Sequence, residues 1–198
     1  MTRYVRRFSL SERAVHWANA LGFFVLLVSG LMLYLPSLEM AVGRRPLIKD
    51  IHFWSGIGWV VLLAVVFLLG DRRGLLRTAR ELETFDADDR AWLLHKRSRE
   101  GRFNAGQKVN AALTAAFFVL FVVSGLLLWL GERDTAFRFA STVVLHDGLM
   151  YVSLILLTGH LYLAVIHPAT RHSLRGMTLG TVNEDWARWH HPRWTPPE

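Results

Sequence analysis

The sequence contains no cysteine among its 198 residues. Disulfides are therefore excluded, and so are thiolate zinc sites, cysteine-held iron-sulfur clusters and covalent c-type haem, because each needs at least one thiol. Nitrogen and oxygen remain as ligands for any metal, and the chain has nine histidines. Charge is also scarce over long stretches, and those stretches indicate the class of protein.

Four long segments almost lack charged side chains. Residues 14–38, 51–70 and 109–131 contain no Asp, Glu, Lys or Arg, and residues 139–170 contain only Asp147. Each segment reaches the roughly 20 residues that an α-helix needs to cross a bilayer core of about 30 Å. The segments are apolar on every side, unlike the alternating strands of about 10 residues in a membrane barrel. The sequence therefore predicts an all-α fold, an integral membrane four-helix bundle.

We expect a single membrane domain over residues 1–198. Its helices are predicted at about residues 10–36, 50–70, 106–131 and 139–168, with a connecting segment at 71–105 and a tail at 171–198. Ser9 and Glu12 have the spacing of a capping box that starts the first helix. A cleavable signal peptide is the alternative for the first segment, but its apolar stretch is long and no small-residue cleavage pattern follows closely.

Lys and Arg are unevenly distributed among the connecting segments. Residues 1–13, 71–108 and 171–198 together hold 18 of them, whereas residues 39–50 and 132–138 hold 5. The positive-inside rule therefore predicts that both termini and the middle segment are cytoplasmic. Anionic lipid head groups explain the net charge of +7, so no nucleic acid is expected as a partner.

Four histidines lie inside the apolar segments or near their ends, where ionisable side chains are costly and are functional candidates. His16 and His160 fall at matching depths near the cytoplasmic side, and His52 and His146 near the opposite side. His146 and His160 are 14 positions apart, which is about 21 Å on nearly the same helix face. The spacing predicts two stacked sites, His16 with His160 and His52 with His146.

Paired imidazoles across a helix bundle are the usual way to hold a b-type haem without covalent attachment. With both axial positions filled, the iron changes oxidation state but offers no position to a substrate. We therefore expect two non-covalent b-type haems, with small residues such as Ser29, Gly30 and Gly56 leaving room for the macrocycle. The alternatives are histidines that bridge helices by hydrogen bonds, or a metal transporter, which normally brings Asp or Glu to the midplane.

The other five histidines are weaker candidates for haem ligands. His167, seven residues after His160, is the alternative ligand on the fourth helix. The remaining histidines are expected to be solvated; they are His95, His172, His190 and His191. The tryptophans of the tail suit docking on a protein or membrane surface.

The sequence also contains one internal repeat. Residues 23–31 read FFVLLVSGL and residues 117–126 read FFVLFVVSGL, which indicates a two-helix duplication.

Several segments resemble the gamma subunit of membrane-bound respiratory formate dehydrogenase, a four-helix, di-haem cytochrome b of the bacterial inner membrane. They are ERAVHW at residues 12–17, RFNAGQK at 102–108, the pair His146 and His160, and RGMTLGTVNEDWARWHHPRW at 175–194. The resemblance covers almost the whole chain. It implies that His52 and His146 ligate a haem nearer the periplasm, and that His16 and His160 ligate one nearer the cytoplasm.

The resemblance also implies a quinone site beside the cytoplasmic haem. Its residues here are Asn104, Gly106 and Gln107. Amide donors and a close backbone approach at glycine suit the oxygens of a quinone. The alternative is that this stretch only caps the helix that follows.

The function implied by the resemblance is electron transfer. Electrons would come from formate oxidised on a molybdenum- or tungsten-containing alpha subunit, pass through an iron-sulfur beta subunit, and reach a membrane quinone through the two haems. No catalytic residue is expected on this chain itself. Related di-haem b subunits serve nickel-iron hydrogenases and sulfur-oxyanion reductases, and a non-redox membrane anchor or metal carrier is the alternative from another class.

Overall fold

The computed structural model describes residues 3–196 and is built mainly from α-helices. In chain order the helices and strands are β1 (Tyr4–Arg6), α1 (Leu10–Tyr34), α2 (Pro36–Val42), α3 (Arg45–Leu69), α4 (Arg72–Glu83), α5 (Ala87–Leu93), α6 (Ala105–Gly131), α7 (Ala140–Leu161), α8 (Leu174–Leu179), β2 (Thr181–Asn183) and α9 (Glu184–His190). Short 3₁₀ turns lie at Thr135–Phe137 and Arg171–Ser173, and a π-helical turn at Tyr162–Ile166 continues α7.

Four helices are long and apolar enough to cross a membrane: α1, α3, α6 and the stretch Ala140–Ile166. Their most apolar windows have mean hydropathies from 1.7 to 2.5, yet only 6% to 11% of the residues in those windows are buried inside the protein. Apolar surface left in water costs about 25 cal/mol per Å², so these faces need lipid around them. The predicted all-α membrane fold with four spanning helices is confirmed, and the chain is a multi-pass membrane protein.

The bounds of some elements differ from the sequence interpretation. The second long helix begins at Arg45 with Pro46 in its first turn, where proline is tolerated because its missing N–H has no intrahelical partner there. The segment predicted as a connection holds α4 and α5, and α5 starts with a capping box of Asp86 and Asp89. The Ser9–Glu12 capping box is confirmed, with Ser9 N donating to Glu12 Oε2 at 2.6 Å.

The chain folds into two compact units, which we describe separately. Among the described residues, the first unit comprises residues 3–13, 71–118 and 152–196, and the second comprises residues 14–70 and 119–151. In the first unit, β1 pairs antiparallel with β2, so that Val5 lies opposite Val182. Gly180 has a positive φ of 81°, and a Cβ atom there would lie 2.9 Å from the carbonyl oxygen of Phe8. Glycine is therefore required where the tail meets the N-terminal segment.

The first unit contains a buried arginine. Arg7 is only 3% exposed, and its guanidinium lies 5.2, 5.5 and 5.9 Å from the rings of Phe8, Trp186 and Trp194. Burial and the nearby charge of Arg102 lower the pKa of Arg7 to about 9. The three rings stabilise this cation through their π faces, and thereby join the tail to the N-terminal segment.

The expectation that all the tail histidines are solvated is wrong for His191. This side chain is 3% exposed, and its Nδ1 donates to the carbonyl oxygen of Gly101 at 2.7 Å. Burial and the charge of Arg7 lower the pKa of His191 to about 3. Arg193 binds Asp86 at 2.7 Å. The tail thus docks on another segment of its own unit, and this contact could not be read from local sequence.

Candidate functional site

The second unit brings His52 of α3 and His146 of α7 together. Their ring centres lie 6.2 Å apart, and their ring planes are inclined at 76°. These are two of the histidines singled out by the sequence, and they make up one of its two expected pairs. Both side chains are partly buried, so the site has two nitrogen donors in an apolar setting.

A serine hydroxyl orients each of these imidazoles. Ser29 Oγ lies 2.9 Å from His52 Nδ1, and Ser124 Oγ lies 2.8 Å from His146 Nδ1. Each hydroxyl donates its own proton within its helix, Ser29 to Val25 O at 2.8 Å and Ser124 to Leu120 O at 2.6 Å.

With the hydroxyl protons donated within the helices, each Oγ accepts from the imidazole. In that arrangement the imidazole proton is on Nδ1, and the lone pair of Nε2 is available to a metal ion.

The residue after each serine is a glycine that faces the same histidine. A Cβ atom on Gly30 would lie 3.3 Å from Cε1 of His52, and one on Gly125 would lie 3.6 Å from Cε1 of His146. The repeated sequence segments thus place one Ser-Gly pair against each ring. The sequence interpretation treated Ser29 and Gly30 only as small residues and did not assign Ser124, although the repeat was the signal for both.

A cavity of about 640 Å³ in the second unit is lined by both imidazoles. Its walls are mostly apolar and include Phe53 and Trp129, whose rings stack at 4.8 Å. Charged side chains of both signs also line the cavity: Arg45, Lys49, Arg133, Arg138, Asp50, Glu132 and Asp147. Arg45 is paired with Glu39, and Lys49 with Glu132. The volume lies within the range of about 300–1,000 Å³ that is usual for ligand and cofactor sites.

These residues fit a b-type haem. His52 and His146 would hold its iron through their ring nitrogens, and ring centres 6.2 Å apart leave room for one metal ion between the two rings. The apolar walls suit the macrocycle, and the guanidinium groups of Arg133 and Arg138 suit its two carboxylates.

The pairing of His16 with His160 stays a prediction. His16 lies in α1 with its ring centre 5.2 Å from that of Trp17, and His160 lies in the last turn of α7. The alternative ligand His167 follows the π-helical turn, and its Nδ1 lies 3.2 Å from Thr170 Oγ1. His167 therefore remains the alternative candidate for a haem ligand on this helix.

Two of the three residues expected to bind quinone have a structural role. Gln107 N donates to Asn104 Oδ1 at 2.9 Å, and Asn104 N donates to Gln107 Oε1 at 3.1 Å. This reciprocal box caps the start of α6, so the capping role considered from the sequence is confirmed. A Cβ atom on Gly106 would lie 2.8 Å from the Trp92 ring, which explains glycine there by packing. The quinone role of these residues stays a prediction.

Comparison with known proteins places these features in a family. The model of the prokaryotic cytochrome b561 family matches residues 7–180. The chain is 25% identical to the nitrate-inducible formate dehydrogenase cytochrome b556 subunit of Escherichia coli, over 98% of this chain and 91% of that protein. It is 28% identical to a second formate dehydrogenase cytochrome b556 subunit of that organism, over 95% of this chain and 90% of that protein.

A formate dehydrogenase cytochrome b556 subunit of Haemophilus influenzae is 25% identical, over 98% of this chain and 82% of that protein. The identities are low, but the matches run along nearly the full length. The resemblance noted from the sequence motifs is therefore confirmed.

Proposed function

Because the chain belongs to the prokaryotic cytochrome b561 family, we propose that it is the electron-transfer membrane subunit of a respiratory formate dehydrogenase. Membership of the family implies a b-type haem and membrane electron transfer. Formate is proposed as the electron source because the relatives that match along nearly the whole chain are named as formate dehydrogenase subunits. Formate oxidation itself takes place on a partner subunit in this proposal.

The observation that supports the proposal is the pair His52 and His146, with ring centres 6.2 Å apart and with both Nδ1 atoms bound to serine oxygens. A haem bound between them supplies a one-electron redox centre with no open coordination position. His52 and His146 would hold the iron, and the apolar walls would keep water away. Arg133 and Arg138, which line the cavity, would neutralise the carboxylates.

A second haem is proposed between His16 and His160, on the strength of their matching depth and the family resemblance. With 18 Lys and Arg residues in the segments assigned to the cytoplasm against 5 in the others, we place both termini on the cytoplasmic side of the bacterial inner membrane. The pair His52 and His146 then lies toward the periplasm.

We propose that electrons cross the membrane inward in this orientation. Electrons enter from a periplasmic iron-sulfur beta subunit, which receives them from the molybdenum- or tungsten-containing alpha subunit. They leave to a membrane quinone near the cytoplasmic side, beside Asn104, Gly106 and Gln107. Electrons that move inward while protons are taken up from the cytoplasm build a membrane potential.

The experiment is a haem count on the chain purified with its partners. We expect two b-type haems per chain in the reduced-minus-oxidised spectrum, one in His52→Ala, and two in the control His95→Ala, whose histidine is exposed. A chain without haem, or a His52→Ala variant that keeps both haems, contradicts the proposal.

The assembled complex tests the division of labour between the subunits. His52→Ala should stop quinone reduction by formate while leaving formate oxidation with an artificial dye intact. Loss of dye activity in a stably assembled complex contradicts that division. Co-purification of a nickel-iron hydrogenase or a sulfur-oxyanion reductase instead of a formate dehydrogenase contradicts the assignment to formate.

A further inference from the structure

The two serine contacts repeat one arrangement on two different helices. Ser29 of α1 lies 23 positions before His52, and Ser124 of α6 lies 22 positions before His146. We propose that Ser29 and Ser124 are positioning residues that fix the tautomer of the two histidines and lower the reduction potential of the iron that these histidines hold. This inference rests on the proposed function, because it needs a haem between His52 and His146.

The direction of each hydrogen bond follows from the environment of the hydroxyl. Ser29 is 5% exposed and Ser124 is fully buried, so bulk water does not compete for either side chain. We assign each hydroxyl proton to the carbonyl oxygen four residues earlier in the helix, which lies 2.8 Å from Ser29 Oγ and 2.6 Å from Ser124 Oγ. Each Oγ therefore presents its lone pairs to the imidazole. Because a buried acceptor without a donor is costly, this arrangement favours an N–H group on the imidazole nitrogen that faces Oγ.

The tautomer matters because an imidazole offers only one lone pair. With the proton on Nε2, the Nδ1 lone pair would face the lone pairs of Oγ, and Nε2 could not ligate iron. With the proton on Nδ1, the hydrogen bond forms and Nε2 is the ligand. Ser29 and Ser124 thus hold both rings in the binding-competent form before haem arrives.

The same hydrogen bond affects the redox equilibrium of the iron. An acceptor on Nδ1–H makes the opposite nitrogen a stronger electron donor, and stronger donation favours the oxidised iron. A neutral hydroxyl is a weaker acceptor than a carboxylate, so each serine is expected to exert a modest effect. The two effects add because the serines act on different ligands.

A purely structural role predicts a different result. Alanine has a higher helix propensity than serine, so replacing either serine by alanine does not weaken its helix. A packing role would leave the reduction potential unchanged while the fold is intact. The potential therefore separates positioning of the histidine from packing.

The test is a redox titration of the purified complex, followed by the absorption of the b-type haems. Variants are Ser29→Ala, Ser124→Ala, the double variant and the rescue variants Ser29→Thr and Ser124→Thr, which keep a hydroxyl. Ser153→Ala is the matched control, because Ser153 is a buried serine on the same helix as His146.

We expect each alanine to shift the equilibrium between oxidised and reduced iron up to tenfold toward reduced iron. For a one-electron couple this raises the midpoint potential by up to about 59 mV. The double variant should show about the sum, threonine should reverse the shift, and Ser153→Ala should show none. Only one of the two haem components of the titration should change its midpoint potential. Haem affinity of the apo-chain should fall about 10- to 100-fold in the alanine variants.

The serine-to-cysteine variants cover the case in which an alanine variant does not assemble. Cysteine has nearly the size of serine, but its sulfur is a weak acceptor, so the potential should rise in the same direction. Unchanged potentials in haem-loaded alanine or cysteine variants overturn the inference, as does a shift that threonine does not reverse. A wild-type chain without haem instead overturns the proposed function, so the two failures are distinguishable.

Discussion

A Cβ atom on Gly30 would lie 3.3 Å from Cε1 of His52, closer than carbon atoms normally pack. A methyl group there needs a shift of a few tenths of an ångström, whereas a branched side chain displaces the ring. We expect Gly30→Val to lower the haem content of the purified chain toward one haem, and Gly30→Ala to have a small effect. The measurement is the ratio of haem to protein.

Gly58, on the same helix as His52, provides the control. Among residues 3–196, no atom lies within 4 Å of a Cβ atom built on Gly58, so Gly58→Val should retain two haems per chain. Equal haem loss in Gly30→Val and Gly58→Val would show that added bulk in the membrane helices, and not contact with His52, removes the haem.

Substitutions in the capping box of α6 can distinguish a helix-capping role of Gln107 and Asn104 from a quinone-binding role. Gln107→Glu and Asn104→Asp keep the side-chain oxygens that accept the capping hydrogen bonds, but they remove the amide N–H donors. If these donors bind quinone, both variants should keep the thermal stability of the wild type while quinone reduction falls at least tenfold. The measurements are the melting temperature and the rate of quinone reduction by formate.

A fall in stability and activity together would contradict the capping geometry. Unchanged quinone kinetics in both variants would show that the two side chains only cap the helix.

The ion pair between Lys108 and Asp89 is buried in the first unit. Lys108 Nζ lies 2.5 Å from Asp89 Oδ2, and both side chains are at most 10% exposed. Removal of one partner leaves an uncompensated buried charge, so Asp89→Asn should lower the free energy of unfolding by about 3–5 kcal/mol. Denaturant unfolding in detergent measures the change.

The exposed pair Arg188 and Glu184 is the comparison. Arg188 is 74% exposed in that ion pair, so Arg188→Ala should cost less than about 1 kcal/mol. A loss for Asp89→Asn no larger than that for Arg188→Ala would be inconsistent with a buried, unsolvated pair.

Acid should destabilise the first unit through His191. Its pKa is lowered to about 3 in the folded protein, against about 6.5 for an unperturbed histidine. The contribution of neutral His191 to the free energy of unfolding is fully present above the pKa that this histidine has in the unfolded chain. It is lost as the pH falls from about 6.5 toward 3, because only the unfolded chain takes up the proton in that range. By pH 5 the loss is about 2 kcal/mol.

His191→Asn isolates that loss. Asparagine can still donate to the carbonyl oxygen of Gly101 but does not titrate. The difference in unfolding free energy between wild type and variant should change by about 2 kcal/mol between pH 7 and pH 5, with the wild type losing more. Parallel pH profiles for the two proteins would disprove the assignment to His191.

Some of the site could be read from the sequence because its signal is local. His52 and His146 stand out because an ionisable side chain in an apolar run is conspicuous by itself. Ser29 and Ser124 do not stand out, since serine is common in membrane helices. Their partners lie 23 and 22 positions away, and only the packing of one helix on another selects them.

The long apolar runs by themselves determined that the chain has four membrane-spanning helices, because a lipid-exposed backbone must satisfy its hydrogen bonds within the helix. Tertiary structure decided which oxygen meets each imidazole, and that His191 is buried while His95 stays exposed. Contacts of this kind depend on segments that are distant along the chain, so the energy that selects them is absent from any local pattern of residues.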